Sequence, residues 1–407
     1  MTPYSDLVAT FGRIGLLSFG GPAAQIALMH REFVERRRWI AEGEFLPALS
    51  FCLLLPGPEA MQLATWCGWR LRGTPGGLIA GLLFVIPGAL LTFALALAYL
   101  RFGDLPAVQA AFLGIKAAVV AIVIEALVKV SKKALSGPEA YAIAAAAFVA
   151  LAALPFPAVI LAAGVWGYVR SEGTGETAPD LPPANTAQTV IIWLVVWLAP
   201  LAILYVLNAQ LLFEIGAFFA RLALFTFGGA YAVLAWMAHE AVETEGWLTA
   251  GQMLDALGLA ETTPGPLILV TQFVGILAAA PAGQAVAGGL VTLHATFAPC
   301  FLWIFAGAPH IARITARPRL KGALAAISAA VVGVIASLSL WFALHVAFGT
   351  VHDGLIPLPD LSTIDPVAIG LMILSAILLL VLRLPLLLVL ALAAAAGLTL
   401  SPLGLLA

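Results

Sequence analysis

Phe19-Gly20-Gly21-Pro22 stands near the start of the chain, and Phe227-Gly228-Gly229 follows 208 residues later. The same spacing separates Pro56-Gly57-Pro58 from Pro264-Gly265-Pro266. Both motifs are built from residues that interrupt helices, because glycine is conformationally free and proline lacks an N–H donor. Helix breakers repeated at matched positions predict two homologous halves that build one site together, as in many membrane transporters.

The repeat extends beyond the breakers. Arg13 precedes the first FGG motif as Arg221 precedes the second, again 208 residues apart. Lys116–Val120 then matches Ser328–Val332 at a spacing of 212, so small insertions separate the later motifs. A match this long predicts a repeat, a connecting segment and a second repeat.

Composition places the chain in a membrane. It has 407 residues, of which 62% are hydrophobic and only 10% charged, whereas soluble domains carry about 25% charged residues. The sequence contains no phosphate-binding loop, no nucleophile elbow and no metal-spaced histidine set, so we expect no enzyme activity, no cofactor, no metal and no nucleic-acid partner. Cys52, Cys67 and Cys300 lie in apolar segments and are expected to be buried, inert thiols.

Apolar segments of about 20 residues divide the chain into candidate spans. We predict an N-terminal repeat over 1–169, a polar linker with one extra helix over 170–210, and a C-terminal repeat over 211–407. The segment 139–169 is long enough for two short helices that meet at Pro155-Phe156-Pro157. The candidate spans are 8–29, 45–69, 76–100, 108–129, 139–169, 190–208, 211–238, 250–279, 284–309, 323–348, 366–382 and 384–400. Whether 8–29 and 45–69 span or re-enter stays open.

Charge predicts that the two repeats are inverted. The loop after the first FGG motif is basic and the matching loop of the second half is acidic, so the positive-inside rule puts them on opposite sides. The extra helix at 190–208 supplies the odd span that inversion needs, with the N-terminus inside and the C-terminus outside. The opposed charges are Arg31, Arg36, Arg37 and Arg38 against Glu240, Glu243 and Glu245. The expected fold is therefore an all-α polytopic membrane protein of two inverted repeats.

The breaks are the candidate substrate site. Freed backbone groups are tolerated in a membrane only where protein or a wet cavity satisfies them, and a charged arginine there should face a partner or a cavity. The alternatives are plain proline kinks, glycine pairs that only pack helices, and arginines that reach the interface. The candidate substrate-binding residues are Arg13, Gly20, Gly21, Pro22, Pro56, Gly57, Pro58, Gln62, Lys116, Arg221, Thr226, Gly228, Gly229, Thr263, Pro264, Gly265 and Pro266.

Two carboxylates flank the breaks and are candidates for proton coupling. Glu59 follows the first PGP motif and Glu261 precedes the second. A carboxylate in an apolar setting can carry a proton; the alternatives are a salt bridge to Arg13 or Arg221, or capping of a helix. Lys116 either lines the pathway or reaches the interface.

The site favours a small oxyanion. Helix N-termini and arginines attract anions, but one helix end contributes only about 0.3–1 kcal/mol, and up to about 2 kcal/mol when buried. Desolvating a dianion costs tens of kcal/mol, so several N–H groups and both arginines would be needed.

The motifs also resemble those of the chromate ion transporter family in its long two-domain form. The resemblance rests on Phe19–Pro22, Arg38-Trp39-Ile40, Leu55–Pro58, and, in the second half, Thr226–Gly229 through Gly246-Trp247-Leu248 to Thr263–Pro266. It implies a multi-pass protein of the bacterial inner membrane that exports chromate from the cytoplasm, driven by the membrane potential or the proton gradient. The second half departs from the first at Leu267, which stands where the first has Glu59, and has one residue fewer before Gly275, so functional symmetry is not implied.

Sequence alone leaves alternatives to this function. Sulfate has nearly the same shape as chromate, and a passive anion channel would use similar residues. The expected partners are the oxyanion and the lipid bilayer, and a homodimer is left open.

Overall fold

The computed structural model describes residues 2–19, 21–172, 185–227, 230–352 and 357–400. These residues are almost entirely helical, with one short antiparallel pair of strands, β1 (Val351–His352) and β2 (Leu358–Pro359). The helices are α1 (Tyr4–Leu17), α2 (Gly21–His30), α3 (Glu42–Leu54), α4 (Glu59–Phe102), α5 (Pro106–Ala134), α6 (Pro138–Ala150), α7 (Phe156–Arg170), α8 (Thr186–Val206), α9 (Gln210–Leu224), α10 (Ala230–Ala238), α11 (Ala250–Thr262), α12 (Val270–Ala279), α13 (Ala285–Gly307), α14 (Ile311–Thr315), α15 (Pro318–Ala347), α16 (Pro366–Ala376) and α17 (Leu386–Leu400).

Short irregular helices complete the described chain. Three π-helical turns cover Arg31–Arg36, His239–Thr244 and Ile377–Val381. The 3₁₀ turns are Leu267–Leu269, Ala280–Ala282, Ala308–His310 and Leu361–Thr363. Single π-helical turns often mark functional places in a helix, and the first two lie in the basic and acidic loops that the sequence opposes.

Five described helices are long and apolar enough to cross a bilayer: α4, α5, α8, α13 continued through Thr315, and α15. The backbone of α4 leaves helical geometry at Arg72 and Gly73, so α4 consists of two helical segments joined by a kink. Several shorter apolar helices accompany them. The chain is therefore an all-α, multi-pass membrane protein. Cys52, Cys67 and Cys300 are all buried, as predicted.

The chain divides into two compact units, and each contains segments of both halves of the sequence. The first unit comprises Met1–Ala94, Gly167–Ala230 and Thr263–Leu324. The second comprises Leu95–Trp166, Tyr231–Thr262 and Ala325–Ala407.

In the first unit, α13 packs against α8, α9 and α12. The indole of Trp197 on α8 donates a hydrogen bond of 3.0 Å to the carbonyl oxygen of Ala295 on α13. The extra helix predicted at 190–208 is therefore a packed part of this unit.

The N-terminal segments of the first unit form hairpins. Phe11 on α1 packs against Phe33 beyond α2, with ring centroids 4.9 Å apart, so the chain returns alongside itself after the FGG motif. Glu44 near the start of α3 binds Arg70 of α4 at 2.7 Å, so the PGP motif is the tip of a second hairpin. With 14 residues, α1 is only about 21 Å long, short of a hydrocarbon core of about 30 Å. Segments 8–29 and 45–69 therefore form hairpins in the described structure.

In the second unit, α5 packs against α11, α16 and α17. Its small and branched residues form the core there with Leu379, Val389 and Leu390. The segment 139–169 forms two helices, α6 ending at Ala150 and α7 starting at Phe156, as the prolines predict.

Candidate functional site

Two reciprocal backbone hydrogen bonds join the breaks of the two halves within the first unit. The N–H of Gly57 donates to the carbonyl oxygen of Thr226 at 2.8 Å, and the N–H of Gly265 donates to that of Ser18, also at 2.8 Å. Ser18 and Thr226 match in the repeat, and so do Gly57 and Gly265. The PGP tip of each half therefore binds the residue before the FGG motif of the other half. We call these four residues the backbone crossing.

The glycines of the crossing are required by conformation. Gly57 has φ 120° and Gly265 has φ 98°, values that residues with a side chain rarely adopt. The flanking prolines end α3 and initiate the next segment. The repeated Pro-Gly-Pro sequence therefore specifies a turn that presents its central N–H to the opposite half.

The hydroxyl groups beside the crossing bond to their own helices. Ser18 Oγ donates to the carbonyl oxygen of Ile14 at 2.6 Å, and Thr226 Oγ1 donates to that of Leu222 at 2.8 Å. These bonds terminate α1 and α9 in the same way. The predicted residue Thr226 and its match Ser18, which was not predicted, thus both shape the break in this conformation.

Two glutamine side chains add hydrogen bonds to carbonyl oxygens at the crossing. Gln25 Nε2 donates to the carbonyl oxygens of Ser18 at 3.1 Å and Gly265 at 2.7 Å, while Gln62 Nε2 donates to that of Pro56 at 2.7 Å. In the described chain the Oε1 atoms of both amides are buried without a hydrogen-bond partner. Amide oxygens accept hydrogen bonds and do not attract an anion. The crossing in this conformation is therefore closed and presents few free hydrogen-bond donors to a dianion.

Arg13 lies in a small cationic pocket between α1 and the end of α2. The pocket measures about 90 Å³, and its polar lining is Thr10, Arg13, Arg31, Glu32 and Arg36. Glu32 is buried and accepts hydrogen bonds from Arg37 Nε at 2.7 Å and Arg36 Nη1 at 2.9 Å. The hydrogen bond from Arg37, helped by the charge of Arg36, outweighs partial burial and lowers the pKa of Glu32.

Arg221 has different surroundings from Arg13. Both arginines are exposed, but the Nε of Arg221 donates to the carbonyl oxygen of Ala217, one turn earlier on α9, at 3.4 Å. The positions that match Thr10, Arg31 and Arg36 are Phe218, His239 and Thr244. The repeat therefore preserves the arginine and not its cationic neighbours.

Lys116 is paired, which neither sequence alternative anticipates. Its Nζ lies 3.4 Å from Asp255 Oδ1 in the second unit, and Tyr99 Oη donates to Asp255 Oδ2 at 2.8 Å. Asp255 is only 4% exposed, so the lysine neutralises a buried carboxylate.

The two carboxylates near the breaks are placed differently from each other. Glu59 begins α4 in the first unit, directly after the first PGP motif. Glu261 lies near the end of α11 in the second unit, and Tyr231 Oη donates to its Oε1 at 2.5 Å.

The remaining predicted residues are partly described. Gly21 and Pro22 start α2, and Thr263, Pro264 and Pro266 are buried around Gly265. Gly20, Gly228 and Gly229 lie outside the described residues. The breaks of the two halves thus meet, whereas Arg13 is in its own pocket and Lys116 and Glu261 are in the second unit.

Sequence reasoning missed Gln25, Glu32 and Asp255. Each is a polar side chain in or beside an apolar helix, which was the available signal. Two of them are not repeated in the other half, because the positions that match Gln25 and Asp255 are Val233 and Pro47. A comparison of the two halves therefore does not single them out.

Comparison with known proteins agrees with the motifs. The family model described as chromate transporter matches residues 5–168 and again 213–398. The chromate transport protein of Cupriavidus metallidurans is 32% identical over 81% of this chain and 80% of its own length. That of Pseudomonas aeruginosa is 33% identical over 83% of this chain and 80% of its own.

A more distant relative is an uncharacterized transporter of Methanocaldococcus jannaschii, 25% identical over 84% of this chain and 85% of its own. No solved structure shows significant similarity to the chain. The two matched stretches carry both sets of breaks and both arginines, and the similarity extends over most of the length of its relatives. The chain therefore belongs to the chromate transporter family.

Proposed function

We propose that this protein is a secondary transporter that exports chromate from the cytoplasm across a bacterial inner membrane, driven by the membrane potential or the proton gradient. The observation that carries the proposal is the backbone crossing, where breaks of both halves meet at matched residues. Family membership supports the substrate.

Opening of the backbone crossing would convert the closed conformation into one that can bind an anion. Its two N–H groups are satisfied by carbonyl oxygens in the closed form, and each such bond contributes only about 0.5–1.5 kcal/mol net. Separation of the tips would free the N–H groups of Gly57 and Gly265 to bind an anion. Together with the first turns of α2 and α4, whose N–H groups lack intrahelical acceptors, they become anion donors.

The charge of the substrate is then balanced by the arginines. A dianion needs more than helix ends, which contribute about 0.3–1 kcal/mol each. Arg13 and Arg221 lie on the helices that end at the crossing, α1 and α9. We assign Arg13 the role of main charge partner along the path, and Arg221, which lacks the cationic neighbours of Arg13, a smaller contribution.

The orientation follows from loop charge. The basic loop of residues 31–38 belongs on the cytoplasmic side and the acidic loop of residues 239–246 on the opposite side, so the repeats would be inverted. This arrangement would put the cationic pocket of Arg13 where an exported anion is first met.

Proton coupling would use Glu59 and Glu261. Both are next to breaks, and Tyr231 Oη donates a hydrogen bond to Glu261. We expect Glu59→Gln and Glu261→Gln to make uptake insensitive to a pH gradient. Glu214→Gln is the matched control, because Glu214 is an exposed carboxylate bound to Gln210.

The test is chromate uptake into inverted membrane vesicles, with and without an uncoupler and with excess sulfate. Energised export predicts accumulation above equilibrium that collapses with the uncoupler. Equilibration that ignores the uncoupler would identify a passive channel instead. If the vesicles take up sulfate and no chromate, chromate is not the substrate, but the proposed transport path is still supported.

A further inference from the structure

The pocket beside Arg13 has the composition of an anion site that is separate from the crossing. Three arginines and one glutamate line it, which gives a formal charge of +2. Its other walls are Ile14 and two leucines, and apolar walls strengthen the field that the cations produce.

Two of the three arginines have no internal partner. Glu32 engages Arg36 within the pocket and Arg37 beside it. Within the described ranges, Arg13 and Arg31 form neither an ion pair nor a side-chain hydrogen bond. Thr10 cannot substitute as a donor, because its hydroxyl already donates to the carbonyl oxygen of Asp6 at 2.6 Å. The pocket therefore presents two unneutralised guanidinium groups.

Size restricts what these groups can bind. A pocket of about 90 Å³ is far smaller than the roughly 300–1,000 Å³ of sites for drug-sized ligands. It admits a small ion and excludes a nucleotide or a sugar. Guanidinium groups bind tetrahedral oxyanions through paired N–H donors.

The geometry points to a capture site for a tetrahedral dianion, in which Arg13 and Arg31 bind the oxygens and Glu32 holds Arg36 and Arg37 away from full engagement. This inference rests on the proposed function and adds a site before the crossing. Glu32 would keep binding weak enough for release, because it competes with the anion for Arg36. The second half has no counterpart, so capture would occur at one end of the path only.

The test measures binding apart from transport. We would titrate the purified full-length protein in detergent with chromate at alkaline pH, where chromate is fully deprotonated, and compare Arg31→Gln with Arg38→Gln. Both variants lose one charge from the same loop, but Arg38 does not line the pocket. We expect Arg31→Gln to raise the Kd at least tenfold and Arg38→Gln to raise it less than threefold.

Glu32→Gln distinguishes binding from structural support. Loss of the competing carboxylate should lower the Kd for chromate about threefold or more and slow release, so KM and the maximal rate of transport fall together. A merely structural role would weaken binding. Arg31→Lys keeps the charge and should recover part of the affinity, which controls for misfolding of Arg31→Gln.

The outcomes separate this site from the proposed function. Equal chromate affinity of wild type, Arg31→Gln and Arg38→Gln overturns the capture site, while vesicle uptake can still stand. Sulfate binding that depends on Arg31, without chromate binding or uptake, supports the site and overturns chromate as the substrate.

Discussion

The first and second π-helical turns share a backbone hydrogen bond but belong to loops of opposite charge. Residues 31–38 carry four arginines and two glutamates, whereas residues 239–246 carry three glutamates and no arginine or lysine. Arg37 N–H donates to the carbonyl oxygen of Glu32, and Glu245 N–H donates to that of the matched Glu240. A left-handed residue follows each turn, Arg38 with φ 52° and Gly246 with φ 61°. The first turn is rich in arginine, whereas the second pairs His239 with Glu243 at 2.6 Å. The two halves therefore share the backbone conformation of the turn, but the charged side chains of the turn differ between them.

The largest expected contrast is in accessibility from the two sides of the membrane. Glu35→Cys and Glu245→Cys place exposed thiols in the two turns, and the native cysteines are buried. If opposite charge reflects inversion, an impermeant maleimide labels the two variants from opposite sides, all or none. The unsubstituted protein is the control. Labelling of both variants from one side would contradict inverted repeats.

The next contrast is between the two arginines in transport. Arg13→Ala removes one of the unneutralised cations of the pocket, and loss of charged hydrogen bonds costs about 1.5–3 kcal/mol, so chromate uptake should fall about tenfold to a hundredfold. Arg221→Ala removes an exposed arginine that contacts only its own helix among the described residues, so uptake should fall less than about fivefold. Uptake is measured in inverted vesicles after membrane insertion has been checked by immunoblotting. Full activity of Arg13→Ala would remove it from the pathway.

A third contrast is between glycines. Gly57→Ala and Gly265→Ala force a side chain into positive φ at both tips, at a cost of about 1–2 kcal/mol per residue. Gly12→Ala is the control, because a side chain there meets nothing within 4 Å and alanine favours helix. Thermal denaturation in detergent should show lower midpoints for both tip variants and no loss for the control. A loss at one tip only would indicate that the crossing is not reciprocal.

The repeat predicted the breaks because helix breakers act locally. Pro56, Gly57 and their matches specify turns whatever surrounds them, and matched spacing implies that the turns serve one purpose. Sequence could not show that each tip donates to the opposite half, because that pairing depends on tertiary packing.

The partners of charged side chains were harder to predict from the sequence than the backbone turns. Lys116 was expected to line a path or reach the interface, and instead it neutralises Asp255. The matched pair, Ser328 and Pro47, carries no charge, so the repeat contained no signal for it. The sequence analysis used only the net positive charge of the loop that contains Arg31. That charge does not show that Arg36 is paired with Glu32, whereas Arg31 forms no ion pair within the described residues.

A smaller contrast concerns acid stability of the first turn. Glu32 has its pKa lowered from 4.5 by its arginine partners. The folded protein therefore binds fewer protons than the unfolded chain just below this value, and the free energy of unfolding falls as pH decreases through the lowered pKa. The contribution is complete above about pH 4.5. Glu32→Gln should flatten this part of the dependence of the thermal midpoint on pH; an unchanged slope would contradict the pairing.

The smallest expected effect is in the second turn. Burial raises the pKa of Glu243, but the contacts with His239 and Trp341 outweigh it and lower the pKa below 4.5. Trp341 Nε1 donates to Glu243 Oε1 at 2.8 Å, and because this half-buried pair is still reached by solvent we expect Trp341→Phe to cost about 1 kcal/mol or less. A double-mutant cycle with Glu243→Gln, followed by thermal midpoints at neutral and acid pH, isolates this bond. Coupling should appear at neutral pH and fade as Glu243 protonates, since the bond to a charged acceptor is the stronger one. Strict additivity at neutral pH would contradict a contribution of this hydrogen bond to the stability of the acidic turn.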